Sequence, residues 1–477
     1  MRFGTHLSLR IAACLSVACL LAGCNYLSNH RARVALSEYQ AATASNDTSG
    51  ARRALLDLVR AKDDVPDYWI ELGKLEAAMG SYNDAYYAFS RAYELDRTNV
   101  DVLRAVTQLA LRAGDLPSAI NHAQELEVLS PGDPWSKLTN GWVAISESRF
   151  DNALQTADSI LASSPYDPSA TVLKARALIG LNRYGEAREL LVRQVQQQPS
   201  DAASLQLLEK FYERADDWPN LLKAATRLTQ MFPAATSDKL VVIEAALRSG
   251  DVPAARRESV TMLTPDATPD RVTSVLNLWR DYWPSPQRIT DAMAFGTKAQ
   301  SLQSRLVFAR FLSEVGSPAD AARLCSPAAT LPVNAKNAEA NAVFADALAR
   351  LGNTGQANAR LDAVLAFDPG NATALRARTE LELRLGQPKA AVTDAERLTT
   401  ILPKSAEDRL LLARAYSAAG NRDWINRTLW SAFRDIPANE KLFAALKATK
   451  AGDADGSREL QEEFDHQRDA ILVRGMS

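Results

Sequence analysis

The stretch that decides the fold runs from Asp67 to Asp96 and reads DYWIELGKLEAAMGSYNDAYYAFSRAYELD. Small and apolar residues recur at helical spacing in both of its halves. They are Trp69, Leu72 and Gly73 in the first half and Ala85, Phe89 and Ala92 in the second. Gly80 stands between the halves, where a glycine ends a helix in a left-handed conformation. The stretch therefore predicts two short helices that cross closely through a tight turn.

Prolines and glycines that end helices recur along the chain with a period of 34 residues. Helix-stopping prolines at this interval are Pro131, Pro165, Pro199 and Pro233, then Pro369, Pro403 and Pro437. Glycines in the same rhythm are Gly80 and Gly114, then Gly352, Gly386 and Gly420. Asp115 and Pro117 follow one of these glycines and suit an N-cap and a first helical turn. A fixed period of this length is typical of a solenoid of helix–turn–helix units.

The unit resembles the tetratricopeptide repeat, whose pattern is W-x2-L-G-x2-Y, then A-x3-F, A and P. The stretch from Asp67 departs from it at Glu76, where Tyr is expected, and at Arg97, where Pro is expected. The resemblance implies an all-α, right-handed solenoid of about thirteen units. It also implies that the first helix of each unit, helix A, lines an inner groove that binds protein partners.

The repeat is less regular in the middle of the chain. The sequence predicts an N-terminal array at 32–269, an irregular junction at 270–337, a C-terminal array at 338–439 and capping helices at 440–477. Within the junction, Trp279 and Trp283 crowd one turn, and Ser326 to Pro332 reads as a loop. Two interpretations explain this region equally well: a kink between two sub-domains, or a repeat whose sequence has diverged from the pattern.

The N-terminal residues indicate a targeting signal rather than part of the folded array. Arg2 and Arg10 precede and flank a short apolar run, which is too short for a spanning helix and indicates a secretory signal. The run ends Leu21-Ala22-Gly23-Cys24, which resembles the lipobox of bacterial lipoproteins. This resemblance implies a signal peptide at 1–23, lipid on Cys24 and a linker at 24–31. Asn25 then implies the outer membrane, on its periplasmic face. The alternative is an ordinary signal peptide with a chance cysteine.

Composition and motifs exclude several classes of function. The chain is 47% hydrophobic with a formal charge of -2, which argues against disorder and against general nucleic-acid binding. The sequence contains no paired CxxC, no HExxH, no phosphate-binding glycine loop and no G-x-S-x-G elbow. We therefore expect no metal, no cofactor and no catalytic site. Cys325 falls where helix B packs inward, so a buried thiol is favoured over a reactive one.

Basic residues gather at two positions of helix A that the resemblance places in the groove. The predicted groove residues are Lys74, Arg112, Arg176, Lys210, Arg214, Arg248, Arg310, Arg350, Arg384 and Arg414, with Trp135 and Trp142 in one unit. They predict an acidic partner, either a peptide or a uronate-bearing polysaccharide. Arginines at the end of helix A equally complement the helix dipole, and the tryptophans equally serve packing.

The leading functional hypothesis is a lipid-anchored, non-enzymatic scaffold that holds envelope proteins together. Similar lipoproteins serve exopolysaccharide export and PEP-CTERM sorting, and others serve peptidoglycan enzymes or secretin assembly. A second hypothesis is a carbohydrate-binding protein that contacts an acidic polymer directly. A wall-cleaving hydrolase is a third, and no motif supports it.

Overall fold

The computed structural model describes residues 29–45 and 47–474, and this part of the chain contains helices and no strand. The predicted signal peptide at 1–23 and Cys24 lie outside the described residues. The chain divides into two compact units, the first reaching Leu190 and including Val473 onward, the second spanning Leu191–Leu472. Residues 29–31, which the sequence analysis assigned to the linker, are already helical.

The first unit contains nine helices and the start of a tenth among the described residues. They are α1 (29–44), α2 (Thr48–Ala61), α3 (Pro66–Ala78), α4 (Tyr82–Leu95), α5 (Val100–Arg112), α6 (Leu116–Leu129), α7 (Pro134–Ser146), α8 (Phe150–Ser163), α9 (Pro168–Gly180) and α10 (Tyr184–Gln197). Odd-numbered helices open each pair and are called A helices below, and even-numbered helices are called B helices.

The second unit continues the same alternation. Its helices are α11 (Ala202–Arg214), α12 (Trp218–Met231), α13 (Thr236–Arg248), α14 (Val252–Met262), α15 (Pro269–Tyr282), α16 (Gln287–Lys298), α17 (Leu302–Glu314), α18 (Pro318–Cys325), α19 (Ala338–Arg350), α20 (Thr354–Phe367), α21 (Ala372–Arg384), α22 (Pro388–Ile401), α23 (Ala406–Ala418), α24 (Arg422–Asp435), α25 (Glu440–Thr449) and α26 (Ala454–Arg474). Most A helices pack on their own B helix and on their neighbours along the chain. The predicted all-α array of helix pairs is confirmed.

The turn between the A and B helices requires a left-handed residue at a fixed place. Gly80 has φ of 78° and Gly114 has φ of 72°, as the glycine period predicts. Where the period lacks a glycine, another residue takes the strained conformation: Ser148, Asn182 and Asp216, with φ of 58°, 61° and 55°. Left-handed backbone costs such residues about 1–2 kcal/mol, least for Asn and Asp. The glycine period by itself does not predict these three turns, because none of the three residues is a glycine.

Small residues let the two helices of a pair approach closely. A Cβ atom on Gly73 of α3 would lie 2.9 Å from ring atoms of Phe89 on α4. Ala85 and Ala92, one turn before and after Phe89, are fully buried. Close contact of this kind is how each pair excludes water without large side chains. The predicted reason for Gly73 and Ala85 is confirmed.

The pair formed by α15 and α16 is built differently. Trp279, only 1% exposed, lies between α15 and its neighbours, with its ring 5.0 Å from that of Trp283 and 6.3 Å from that of Phe295. Its indole N–H donates to the Ser259 hydroxyl of α14 at 3.1 Å. A tryptophan is far larger than the glycine or alanine of other pairs, so the backbones of α15 and α16 stay apart. Side chains join the two helices instead, since Arg288 of α16 donates to the Trp279 carbonyl at 3.2 Å. The irregularity that the sequence shows here is therefore a change of packing, not a loss of helices.

The predicted loop at Ser326 to Pro332 is confirmed, since α18 ends at Cys325 and no helix begins before α19. Asn337 orders this loop: its side-chain amide donates to the Thr330 and Pro332 carbonyls at 3.0 and 3.1 Å.

Candidate binding surface on the A helices

The predicted groove residues of the first unit differ in exposure. Lys74 keeps 62% of its side chain exposed and bonds Glu71 of its own helix at 2.8 Å. Arg112 is exposed, with its guanidinium carbon 3.8 Å from the centre of the Tyr82 ring. Trp135 and Trp142 of α7 are half-buried and pack against apolar neighbours. This surface thus presents both cations and parts of aromatic rings.

Arg176 of α9 is buried rather than groove-lining. It is only 9% exposed, and its guanidinium donates to the Val473 carbonyl at 3.0 Å. Its guanidinium carbon lies 5.6 Å from the centre of the Trp142 ring. Burial lowers the pKa of Arg176 to about 10, because the charged form is poorly solvated there. The role of Arg176 in the described structure is to hold the end of the chain.

In the second unit, α26 meets the C-terminal end of α11. Arg214 donates to Asp469 at 2.8 Å and lies 3.3 Å from Asp465, one helical turn earlier. In return, Arg468 donates to the Glu213 carbonyl at 2.8 Å. Lys210, on the same helix as Arg214, pairs with Glu213 at 2.9 Å. The chain's own last helix therefore supplies the acidic partner of Arg214.

A second contact joins α13 to α25. The two terminal guanidinium nitrogens of Arg248, Nη1 and Nη2, each donate to the Glu440 carboxylate at 3.2 Å. Arg248 also donates to Glu244 at 3.1 Å and stacks on Trp218, 3.7 Å from the ring centre. Arg248 lies on an A helix, and its guanidinium is occupied by acids of this chain.

A third contact joins α15 to α23 and α25. Arg280 donates to Glu314 at 3.1 Å and also to Glu407. Lys441 lies 2.8 Å from Asp281. Sequence reasoning missed Arg280, Asp281 and Lys441, because α15 and α25 fall in the stretches where the repeat register is least clear. The signal available was a run of charges at the ends of these two A helices.

Behind this contact lies a cavity of about 370 Å³ lined by A helices of the second unit, which we call the charged cavity. Its ionisable lining residues are Arg280, Arg310, Glu314, Asp346, Arg350, Arg376, Glu380, Glu407, Asp408, Arg414 and Lys441. Six bases and five acids nearly balance, so the net charge of the cavity is close to zero. The basic excess that the sequence analysis counted is offset by acids on neighbouring A helices.

The remaining predicted groove residues have local partners. Arg414 pairs with Glu380 at 2.7 Å, and Arg350 pairs with Asp346 of its own helix at 3.0 Å. Arg310 lies 3.4 Å from Glu339. Arg384 donates to the Glu380 carbonyl at 3.3 Å, which is the helix-end role that the alternative interpretation assigned to it.

Burial perturbs two further acids near these helices. Glu209 of α11 is 5% exposed, and burial raises its pKa to about 7. Glu209 occupies the place in α11 that Gly73 occupies in α3, so a carboxyl stands where other pairs have a small residue. Burial also raises the pKa of Glu314, while Arg280 opposes the shift. In both cases burial disfavours the charged form of the carboxyl group.

The described part of the chain contains no group of three or more His, Cys, Asp and Glu side chains placed to hold a metal ion. None of its helices combines the length and apolarity needed to cross a membrane. Cys325 is fully buried, as predicted, and burial raises the pKa of its thiol to about 12.

Stacked helix pairs with a charged A-helix face define a class of repeat protein that works by binding. Family models for the tetratricopeptide repeat match residues 144–211 and 343–406. These two segments of the chain therefore carry tetratricopeptide repeats. Among curated protein sequences, none matches it.

Several solved structures resemble the chain at low identity. A tetratricopeptide repeat protein from Parabacteroides merdae is 13% identical, covers 56% of this chain and 98% of its own, and has a TM-score of 0.35. The APC/C hetero-tetramer Cut9-Hcn1 is 13% identical, with 94% and 97% covered and a TM-score of 0.30. Yeast Tom70 is 11% identical, with 94% and 95% covered and a TM-score of 0.34.

Proposed function

We propose that this protein is a non-enzymatic scaffold whose A-helix face in the first unit binds a protein partner. Tetratricopeptide repeats support a protein–protein interaction role in general. The observation that carries the proposal is the contrast between the units. Lys74 and Arg112 remain exposed, and Lys74 pairs with Glu71 of its own helix. In the second unit, Arg214, Arg248 and Arg280 instead bond acids of helices far along the chain.

The partner of this surface is an acidic protein segment. Carboxylates pair with exposed Lys and Arg, and parts of Trp135 and Trp142 offer apolar contact beside them. The experiment is photo-crosslinking in living cells from a reactive amino acid placed at position 74 or 112. We expect both positions to capture the same protein. Positions 53 and 188, exposed arginines on B helices, serve as controls. Equal capture from all four positions contradicts the proposal.

The scaffold is anchored by lipid on Cys24 to the periplasmic face of the outer membrane. The lipobox-like Leu21-Ala22-Gly23-Cys24 supports this proposal. The variant Cys24→Ala then loses labelling by radioactive palmitate, and Asn25→Asp moves the protein to the inner-membrane fraction. If Cys24→Ala is still labelled as strongly as the unmodified protein, lipid attachment at Cys24 is contradicted.

We place the scaffold in exopolysaccharide export or related envelope biogenesis, on the analogy of similar lipoproteins. Adaptor roles for peptidoglycan enzymes or secretin assembly are the alternatives. Deleting the gene and measuring secreted polymer, wall composition and pilus assembly separates the three. Loss of polymer alone supports the first.

Direct binding of an acidic polysaccharide is a second candidate, favoured by one observation. Trp135 lies with Lys137 in a cleft of about 310 Å³ that also includes serine residues, Arg104 and Asp167. Arg104 is paired with Asp133 at 2.7 Å, which leaves Lys137 as the cation available to a ligand. An aromatic ring beside a cation and hydroxyls suits a uronate sugar. Calorimetric titration of the chain from residue 25 onward with oligouronates tests it. Absence of heat, with capture of a protein from position 74, favours the scaffold alone.

A further inference from the structure

The bulky Trp279 side chain also separates helices on the opposite side of the array from the A-helix face. Between α14 and α16 lies an open cleft of about 470 Å³, which we call the B-helix cleft. Its apolar lining comes from Val252 and Val260 of α14, Ala294 and Phe295 of α16, and Trp279 at its floor. Val260 is 58% exposed, so its methyl groups are accessible from the cleft. Its volume falls within the range of about 300–1,000 Å³ typical of binding pockets.

The rim of the cleft is basic. Arg256, Arg257 and Lys298 line it, with Asp291 as the single acid. Asp291 is bound by Arg256 at 2.8 and 3.1 Å. Arg257 and Lys298 make no ion pair with any residue that the structure describes. In contrast to the charged cavity, this surface therefore has positive charge that its own chain does not balance.

We propose that the B-helix cleft binds an acidic amphipathic helix of a partner protein. A cleft between two helices with an apolar lining suits a helix laid in a groove, with apolar side chains inserted at intervals of three and four residues. The described residues contain no sheet edge to which an extended strand could add. The unpaired Arg257 and Lys298 select carboxylates along the margins of that helix.

This inference rests on the proposed scaffold role only in expecting a protein partner. The site belongs to α14 and α16, whereas the proposed partner surface belongs to α3, α5 and α7 of the first unit. Failure of the peptide to bind the cleft therefore leaves crosslinking from positions 74 and 112 unchanged, and failure of that crosslinking leaves peptide binding unchanged.

The test uses a designed, end-capped helical peptide as the probe. It is about 18 residues long, since isolated helices shorter than about 12–15 residues are marginal in water. It carries leucine at every third or fourth position with glutamates along both margins. Fluorescence anisotropy measures its binding to the chain from residue 25 onward, which retains every described residue. We expect saturable binding that is lost when lysines replace the glutamates.

Charge reversal locates the site. We expect Arg257→Glu with Lys298→Glu to weaken binding at least tenfold, and Val260→Asp to do the same by placing an acid among the apolar lining residues. The matched control is Lys389→Glu with Lys404→Glu, two exposed lysines elsewhere in the second unit, which changes affinity less than twofold. Circular dichroism confirms that each variant is folded.

Four results overturn the proposal. One is no binding of the glutamate probe, and another is equal binding by the charge-reversed variant and its control. The third is recruitment to vesicles of phosphatidylglycerol that depends on Arg257 and Lys298 when the peptide does not bind, since that outcome assigns the cleft to a membrane surface. A dimer abolished by Val260→Asp likewise replaces the partner helix with a second copy of the chain.

Discussion

Arg248 on α13 and Glu440 on α25 are 192 residues apart in the sequence, yet their side chains meet at 3.2 Å. Together with the Arg280–Glu407 and Lys441–Asp281 pairs, this contact joins A helices from the two ends of the second unit. Long side chains, rather than close helix packing, make the connection. The second unit is therefore closed on its A-helix side by electrostatics.

Neutralising this connection should loosen α25. We expect Glu407→Gln with Glu440→Gln to speed hydrogen–deuterium exchange in α25 and to lower stability by about 0.5–2 kcal/mol, since partly exposed pairs contribute roughly 0.2–1 kcal/mol each. High salt should bring the unmodified protein towards the variant, because it screens the same pairs. Glu459→Gln, an exposed acid of α26, is the control. Unchanged exchange in α25 contradicts the role of these pairs.

Glu209 should make stability depend on pH. Its folded-state pKa of about 7 lies above the ordinary value of 4.5, so the folded chain binds the proton more tightly than the unfolded chain. Stability is then highest below pH 4.5 as far as this group is concerned, and it falls as pH rises through 7. We expect Glu209→Gln to stabilise the protein by about 1–3 kcal/mol at pH 8 and to have little effect at pH 4.5.

Chemical denaturation at both pH values measures this difference. Glu462→Gln, an exposed acid on α26, should change stability little at either pH. An equal effect of Glu209→Gln at pH 4.5 and pH 8 would show that the carboxyl is not held neutral by burial.

Gly73 should not tolerate a methyl group. In Gly73→Ala the new Cβ lies 2.9 Å from the Phe89 ring, which is itself buried, so helices α3 and α4 must move apart. We expect a net loss of about 1–2 kcal/mol, because overpacking costs about 1–3 kcal/mol and the gain in helix propensity offsets up to about 1 kcal/mol.

Gly355 of α20 is the matched control, since nothing lies within 4 Å of its Cβ direction. Gly355→Ala should leave stability unchanged or raise it by about 0.5–1 kcal/mol. Thermal unfolding of the two variants side by side decides the point. Equal stability of both would mean that the α3–α4 contact has room to adjust.

Cys325 should be inert in the native protein. In the chain from residue 25 onward it is the single thiol, and burial raises its pKa to about 12, so the thiolate is scarcely populated. We expect no reaction with Ellman's reagent until guanidinium exposes one thiol per chain. Ser326→Cys adds an exposed neighbour as a positive control. Rapid native labelling of Cys325 would contradict its burial.

The spacing of residues along the chain was enough to predict the helix pairs. The 34-residue spacing of prolines and glycines, and the small residues around Phe89, predicted where helices begin, end and cross. The burial of Cys325 followed from the same register. The left-handed turns at Ser148, Asn182 and Asp216 could have been found by extending the glycine period. These features depend on neighbours within one or two repeats, which sequence periodicity records.

Contacts between residues far apart in the sequence determine what the predicted groove arginines bind. Helix register correctly placed Arg214 and Arg248 on A helices, but nothing local distinguishes an arginine that faces a partner from one that bonds Asp469 or Glu440. The B-helix cleft likewise depends on how far Trp279 displaces its neighbours. Periodicity determined the repeating unit, because that depends on spacing along the chain. Tertiary structure alone decided which charges are balanced, since small rotations between successive pairs accumulate until distant helices meet.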